Sequence, residues 1–420
     1  YGVGKQWLQV TARNFLEVIE PKLPPVCDTP STSLVEMALQ NLRLSERGIK
    51  QGTKMTIVVP DVTRYCAAEV IVPALVDNLG AVGVRGSDMR VVFANGIHRK
   101  LSETEKRTLV GDYVYGSIPC TDHDADAPCV RIGALADGQD VEVNSQVASA
   151  DVVIVLGAIS IHYLAGFGGG AKCIFPGVAS RRTILGLHRR SLATEPGIGR
   201  HPQVRAGVVR GNPFREAIDA AGDLVPNALA VNTVHSPDRR VLRVFAGKLR
   251  EAFADAVDFF SSVYVRACRE YANMVVVSCG GFPRDINLIQ AHKAMDHASY
   301  VLEDGGVMLV LARCQDGLGS PDMEKWFRHR DLASLESALR EDFEVYGQTA
   351  YAIRQKSARF KIVLLSELPR DVVERAGLIP ISSLEELNGV VEDFVSRYPK
   401  VYVIPDGGSV LPQVVGPTVG

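Results

Sequence analysis

A lysine preceded by a run of glycines is the first place in this sequence where chemistry could be staged. The segment His162-Tyr-Leu-Ala-Gly-Phe-Gly-Gly-Gly-Ala-Lys172 is followed by Phe175-Pro176-Gly177, with glycines at positions 166, 168, 169 and 170. Backbone of that kind bends through positive φ and approaches a ligand closely, often a phosphate. Gly168, Gly169 and Gly170 are therefore candidate cofactor-binding residues, and Lys172 presents an amine beside them. The segment is not a Walker A loop, which needs G-x-x-x-x-G-K followed by Ser or Thr, because Ala171 precedes the lysine and Cys173 follows it. A generic ATPase is thereby excluded, and a flexible glycine turn with a surface lysine is the competing reading.

Other polar groups stand directly behind strand-like runs. In Asp61-Val62-Thr63-Arg64 the guanidinium can hold a carboxylate or phosphate through a bidentate, charge-assisted pair. The plain alternative has Asp61 capping the next helix and Arg64 pairing at the surface. Asn95-Gly-Ile-His98-Arg99 places an imidazole after a second strand, and His162 follows a third. Two imidazoles flanking one carbon suit a reaction that moves a proton on either face, since an unperturbed imidazole titrates near neutrality. A lone histidine, by contrast, is more often structural.

His188 lies sixteen residues beyond Lys172 in Thr183-Ile-Leu-Gly-Leu-His188. Imidazole is a good nickel ligand, yet no His, Cys or Asp stands at i+2 to i+4 to share the metal. Either His188 is structural or its co-ligands are not protein. In Asn287-Leu-Ile-Gln290-Ala-His-Lys293, Gln290 and Lys293 fall one helical turn apart and face the same way, with Leu288, Ile289 and Met295 toward the core. An exposed amphipathic face is the alternative there.

The elements that must position these groups alternate between strand and helix. Met55–Val59, Met89–Ala94 and Asp151–Leu156 read as strands ending in turn residues, with helix-like stretches at Glu69–Gly80, Ser102–Val110 and Asn212–Ala221. That alternation predicts a mainly parallel sheet with crossover helices, whose ligands gather beyond the carboxyl ends of the strands. A second unit begins near Cys268, with strands Met274–Ser278, Val307–Leu311, Lys361–Leu365 and Val401–Ile404 and a helix over Ile286–Leu302. The expected architecture is α/β, two lobes with an active-site cleft between them: residues 1–267 for cofactor binding and catalysis, residues 268–420 for substrate-binding residues.

Bulk composition excludes several function classes. The 420 residues carry 46 Lys plus Arg against 48 Asp plus Glu, so no global field draws the chain toward nucleic acid or an anionic membrane. The expected partner is a small molecule, with no nucleic acid and no membrane. No run approaches the roughly 18 apolar residues of a membrane span, and the N-terminus lacks the basic-then-apolar pattern of a signal peptide, so a cytoplasmic location is expected. Eight cysteines contain no C-x-x-C pair, which argues against a zinc ribbon or an iron–sulfur site.

Taken together and in this order, the motifs resemble the lactate racemase family. The resemblance runs from about residue 50 to 410 and rests on Asp61 to Arg64, Gly96 to Arg99, His162 to Gly177, His188, and Asn287 to Lys293. It implies a nickel-pincer nucleotide, a pyridinium-3,5-bisthiocarboxylic acid mononucleotide joined to Lys172 as a thioamide. Nickel is then held by two sulfurs and a ring carbon of the nucleotide, with His188 as the fourth ligand. By the same resemblance Asp61, Val62, Thr63 and Arg64 line the nucleotide and substrate. His98 and His162 form the acid/base pair, and Gln290 and Lys293 bind the substrate carboxylate or 2-oxygen. The implied reaction is racemisation or epimerisation by hydride shuttling, with cofactor-biosynthesis enzymes as maturation partners.

The chain also departs from the family pattern. Tyr65-Cys66 follows Arg64 where proline is common, and Gln348-Thr349-Ala350 stands where lactate-acting members present a tryptophan before Thr-Ala. A polar amide in that wall makes Gln348 a candidate substrate contact, and it fits a sugar acid or a dicarboxylate as well as lactate. An NAD-linked oxidoreductase would want a G-x-G-x-x-G turn after its first strand, and none is present. The remaining alternative is a non-catalytic nucleotide- or anion-binding protein that uses the glycine loop and Arg64 but neither histidine.

Overall fold

A strand that is buried at every position is covered on both faces, and Met55–Pro60, apolar except for Thr56, is buried throughout. In the computed structural model, which describes residues 1–4, 14–25 and 29–415, this strand lies inside a six-stranded sheet. The order is Val241–Lys248, Leu229–His235, Val152–Ala158, Met55–Pro60, Met89–Ala94, Cys120–Asp122, parallel except for the first pair. The chain adds Met89–Ala94 and Cys120–Asp122 on one side of Met55–Pro60, then returns to add Val152–Ala158 on the other. Loops leaving the two strands at such a reversal part and open a crevice. Asp61 leaves one of those strands and the segment leading to Lys172 leaves the other, so strand order alone brings both to one place.

The second sheet repeats the logic in the order Asn14–Val18, Lys400–Ile404, Ala272–Ser278, Leu302–Leu311, Lys361–Leu365, Ile379–Ile381, parallel throughout. Its reversal falls between Ala272–Ser278 and Lys400–Ile404. There Arg284 is ion-paired with Asp406 across the two departing loops. The helix Leu288–Ala298 starts beside this point, capped by the Asn287 side chain, which accepts the Gln290 N–H at 3.0 Å. Each sheet has its own buried clusters. The helix Arg181–Arg189 belongs to both lobes: Ile184 and Leu187 enter the first core and Leu185 packs on the second.

The expected α/β class and mainly parallel sheets are what the chain adopts. The strands at 55, 89, 361 and 401 lie within a residue of their expected limits, while Leu302–Leu311 starts five residues before the expected Val307. The pair Leu229–His235 and Val241–Lys248 was not expected. Nor was the role of Asn14–Val18: the sequence-based division at 267 puts it with the first lobe, yet it hydrogen-bonds to Lys400–Ile404 and closes an edge of the second sheet. The helix starting at Glu103 runs to Ser117 with a break at Gly111, φ +79°, past the expected Val110. Among the described residues no helix is long and apolar enough to cross a membrane. The described cysteines are all free thiols.

Candidate active site

Asp61 does not cap a helix. Its carboxylate folds back to accept the Thr63 N–H at 2.9 Å and the Thr63 hydroxyl at 2.5 Å. Its other oxygen lies 2.6 Å from His98 Nδ1. Burial works against the charge, but the bonds from His98 and Thr63 win and hold Asp61 ionised down to about 2. The helix Ala68–Ala81 instead begins at Ala67, which has no side-chain cap, so the plain reading of Asp61 is overturned. An ionised Asp61 at Nδ1 selects the tautomer of a neutral His98 that carries its proton on Nδ1 and its lone pair on Nε2, on a ring that is half exposed.

His162 is held in the opposite sense. Its Nδ1 accepts the backbone N–H groups of Leu164 at 3.2 Å and Ala165 at 3.1 Å, so the proton sits on Nε2. Burial, then the nearby Lys172, Arg64 and Lys293, push its pKa well below the usual value. The ring is kept in register by the pairing of His162 with Gly166. Gly166 has φ +75°, and a Cβ there would lie 2.2 Å from the Val208 carbonyl oxygen. Gly166→Ala is expected to cost roughly 1–3 kcal/mol or more through backbone strain and overlap, read as a lowered thermal unfolding midpoint.

The glycine loop differs from a phosphate cradle. Gly168 N–H is spent on Ser160 O at 2.7 Å and Gly170 N–H on Asn232 Oδ1 at 2.9 Å. These glycines are required from behind: a Cβ on Gly170 would meet the Phe253 ring at 2.8 Å, and one on Gly168 would meet Ser160 Oγ at 2.7 Å. The loop is thus drawn tightly onto the strand ends. Beneath it lies Arg215, 1% exposed, stacked at 3.7 Å on Phe253 and bonded to Asp219 at 2.6 and 3.0 Å.

Lys172 stands at the cleft side of this platform, partly accessible yet ringed by protein. Among the described residues its amine has neither a hydrogen-bond partner nor an ion pair. Burial comes first and the Arg64 cation second in driving its pKa well below that of a free lysine, with Arg215 and Lys293 adding to the effect. The amine is therefore a neutral nucleophile under conditions where an ordinary lysine is a cation. His188, within electrostatic reach of Lys172, donates Nδ1–H to Ile184 O at 2.8 Å and keeps Nε2 as a free lone pair. Burial pushes it down to about 4, so it stays neutral at physiological pH.

From the second lobe, Lys293 donates to Gln290 Oε1 at 2.6 Å, so the two residues one turn apart do act together. Burial, then Arg64 and Arg284, bring Lys293 down to about 8. Arg64 acts on Asp61, His162, Lys172 and Lys293 alike, which places the candidates from both lobes around one guanidinium. Val62 and Thr63 are exposed beside it. Gln348 differs from its expected place on an open wall. It is 3% exposed, its Nε2 donates across the lobe contact to Ser191 Oγ, and its buried Oε1 has no partner among the described residues.

Two contributors carried no sequence signal. Asn232, 0% exposed, supports the loop while its Nδ2 has no partner among the described residues, and Arg215 reads as one charge of an amphipathic helix.

The sequence pattern of the lactate racemase N-terminal domain matches residues 1–199, and that of the lactate racemase C-terminal domain matches residues 268–412. The chain belongs to the lactate racemase family. It is 27% identical over 389 residues to the lactate racemase of Thermoanaerobacterium thermosaccharolyticum, covering 90% of this chain and 89% of that one. To the lactate racemase of Lactiplantibacillus plantarum it is 30% identical over 270 residues, 63% of this chain and 61% of the relative. The lactate racemase apoprotein from T. thermosaccharolyticum has the same fold, with a TM-score of 0.86, 25% identity and 98% of each chain covered. A Thermotoga maritima protein shares the fold at a TM-score of 0.68 and 18% identity, over 93% of this chain and 99% of that one. This family member is an isomerase of the racemase type.

Proposed function

We propose that this racemase inverts the C2 centre of a 2-hydroxy acid, or epimerises a related hydroxylated acid, using a nickel-pincer nucleotide tethered at Lys172. The observation that carries the reading is the pairing of a Lys172 amine that has no partner among the described residues, and whose charged form burial and Arg64 disfavour, with an imidazole lone pair at His188. The donor chemistry fits the group. A neutral amine can condense with a thiocarboxylic acid, forming the C–N bond of a thioamide with loss of water, and the His188 Nε2 lone pair is a suitable nickel donor, oriented by the Nδ1–H bond to Ile184 O. Among the described residues no three His, Cys, Asp or Glu side chains converge as a metal site, so nickel at His188 would take its other ligands from the nucleotide itself. The unbonded Nδ2 of Asn232 is a donor to spare beside the loop. When bound, the cofactor would supply the acceptor and donor of the C2 hydride.

The chain's own residues would do the rest. Arg64 and Lys293, the latter steadied by Gln290, would hold the substrate carboxylate, and Asp61, Val62 and Thr63 would line the cleft beside the nucleotide. His98 Nε2 would receive the hydroxyl proton, with Asp61 stabilising the imidazolium. His162 Nε2–H would donate to the 2-oxygen from the other side. Gln348, through Ser191, would brace the wall behind His188. In this reading residues 1–267 carry the cofactor and catalysis and residues 268–420 the substrate contacts, with Asn14–Val18 lent to the second sheet. The enzyme would work in the cytoplasm, matured there by the cofactor-synthesising enzymes.

Two measurements follow. Racemisation of single-enantiomer hydroxy acids in deuterated water is expected to retain the C2 hydrogen, and exchange with solvent would contradict hydride return. The Lys293 ammonium is present below its pKa of about 8 and lost above it. Accordingly kcat/KM should fall on the order of tenfold per pH unit above about 8 in wild type, through KM, and this limb should vanish in Lys293→Arg, whose guanidinium stays charged.

A further inference from the structure

Beside His162 lies a buried set of charges that the reaction above does not use. The segment following His188 leaves the first lobe and is fastened to the second: Gly197 N–H bonds Glu336 at 3.0 Å, Ala206 N–H bonds the Tyr300 hydroxyl at 3.2 Å, and Arg340 bonds the carbonyls of Ala193 and Glu195 at 2.9 and 3.1 Å. This strap delivers Arg200 to Asp296, 0% exposed, at 3.0 Å. The same Asp296 oxygen also holds the buried Lys356 at 2.6 Å. Two cations thus share one carboxylate. Lys356, lowered by burial to about 8, is still protonated at neutral pH, and the adjacent His292 is kept neutral by burial and by Lys356. The cluster therefore carries an excess positive charge.

The Tyr163 ring connects that cluster to the reaction centre. The Tyr163 ring stacks on His162 with centroids 5.6 Å apart and meets His292 edge-on at 5.2 Å, and its hydroxyl lies near Thr349 within the field of Arg200. Asp296 takes only Nη1 of Arg200, whose other N–H groups bond no described residue and whose side chain keeps 18% of its surface. A buried excess cation with unused donors favours an anion beside it. Resting on the racemase reading above, we infer that Arg200, with Tyr163 and Thr349, reads the far end of the substrate, and that this end is a second carboxylate. The preferred substrate is then a short 2-hydroxy dicarboxylate, one carboxylate at Arg64 and Lys293 and the other at Arg200.

The test compares D-malate and D-2-hydroxyglutarate with D-lactate on the cofactor-loaded enzyme. A dicarboxylate should give the higher kcat/KM. In Arg200→Gln the dicarboxylate-to-lactate ratio should fall on the order of 10²-fold, mainly through KM, with partial rescue in Arg200→Lys. Arg340→Gln, which loosens the same strap, should lower the unfolding midpoint and leave the ratio in place. Preference for lactate, or an equal loss on both substrates in Arg200→Gln, would overturn the inference. If the loaded enzyme turns over neither class, the 2-hydroxy acid reading above fails. Arg200 is then judged on the unloaded protein, where succinate but not propionate should raise the unfolding midpoint and lose that effect in Arg200→Gln. Equal shifts from the two acids would end the proposal.

Discussion

Lys172→Arg protein, produced beside the cofactor-synthesising enzymes, is expected to lack the nucleotide-sized mass and the nickel that wild type acquires, and to lose racemisation by on the order of 10³-fold or more. Arginine is the informative replacement because it keeps the positive charge that a phosphate clamp would use and removes the nucleophile, since a guanidinium does not deprotonate in proteins. The structure makes the two roles separable. A clamp would present free backbone amides with a charged lysine, whereas the amides of Gly168 and Gly170 are spent on Ser160 and Asn232, and burial together with Arg64 disfavours the charged amine. Under a clamp, Lys172→Arg would retain bound nucleotide that denaturation releases. Under a tether, wild type holds its adduct through denaturation and the variant has none. An adduct that persists in Lys172→Arg would place the attachment elsewhere and sink the assignment.

Asp61, His98 and His162 were legible because each stands shortly behind a strand, and a parallel sheet gathers such positions at the carboxyl ends of its strands. Asp61, His98, Lys172 and Lys293 needed only the βα alternation to be placed near a cleft. What strand ends do not show is which hydrogen-bonding groups are already occupied. The glycines at 168 and 170 look like ligand-facing backbone in one dimension, and only the packing of Ser160, Asn232 and Phe253 against them reveals that they are needed from behind. Gln348 looked like an open wall for a similar reason: its partner Ser191 is 157 positions away along the chain. Arg215 and Arg200 carry no motif at all. Their meaning arises from contacts with Phe253 and Asp296, which no local pattern encodes. The strand Asn14–Val18 was missed because a five-residue run at an edge has too little apolar periodicity to stand out from the loop around it.

The two histidines, read from the sequence as an equivalent pair, are not equivalent in the structure, and this leads to the second large effect. Asp61 accepts the Nδ1 proton of His98 at 2.6 Å and frees Nε2 as a base. Asp61→Asn substitutes an amide that can donate to Nδ1, which would move the ring proton to Nε2 and remove the base without disturbing packing. The expected loss in kcat is about 10²–10⁴-fold, with adduct mass and nickel content unchanged, because the carboxylate touches neither Lys172 nor His188. His162 already has that other tautomer. Two backbone N–H groups occupy its Nδ1, so it cannot take up a proton without giving up both bonds. Its available function is donation from Nε2, and a glutamine amide can donate from nearly the same place. His162→Gln should therefore keep substantially more activity than His98→Gln, and the ratio of the two should be the same for either enantiomer as starting material. Equal losses in the two variants, or losses that exchange when the enantiomer is exchanged, would show that the imidazoles alternate as bases and that the backbone bonds to His162 give way during turnover.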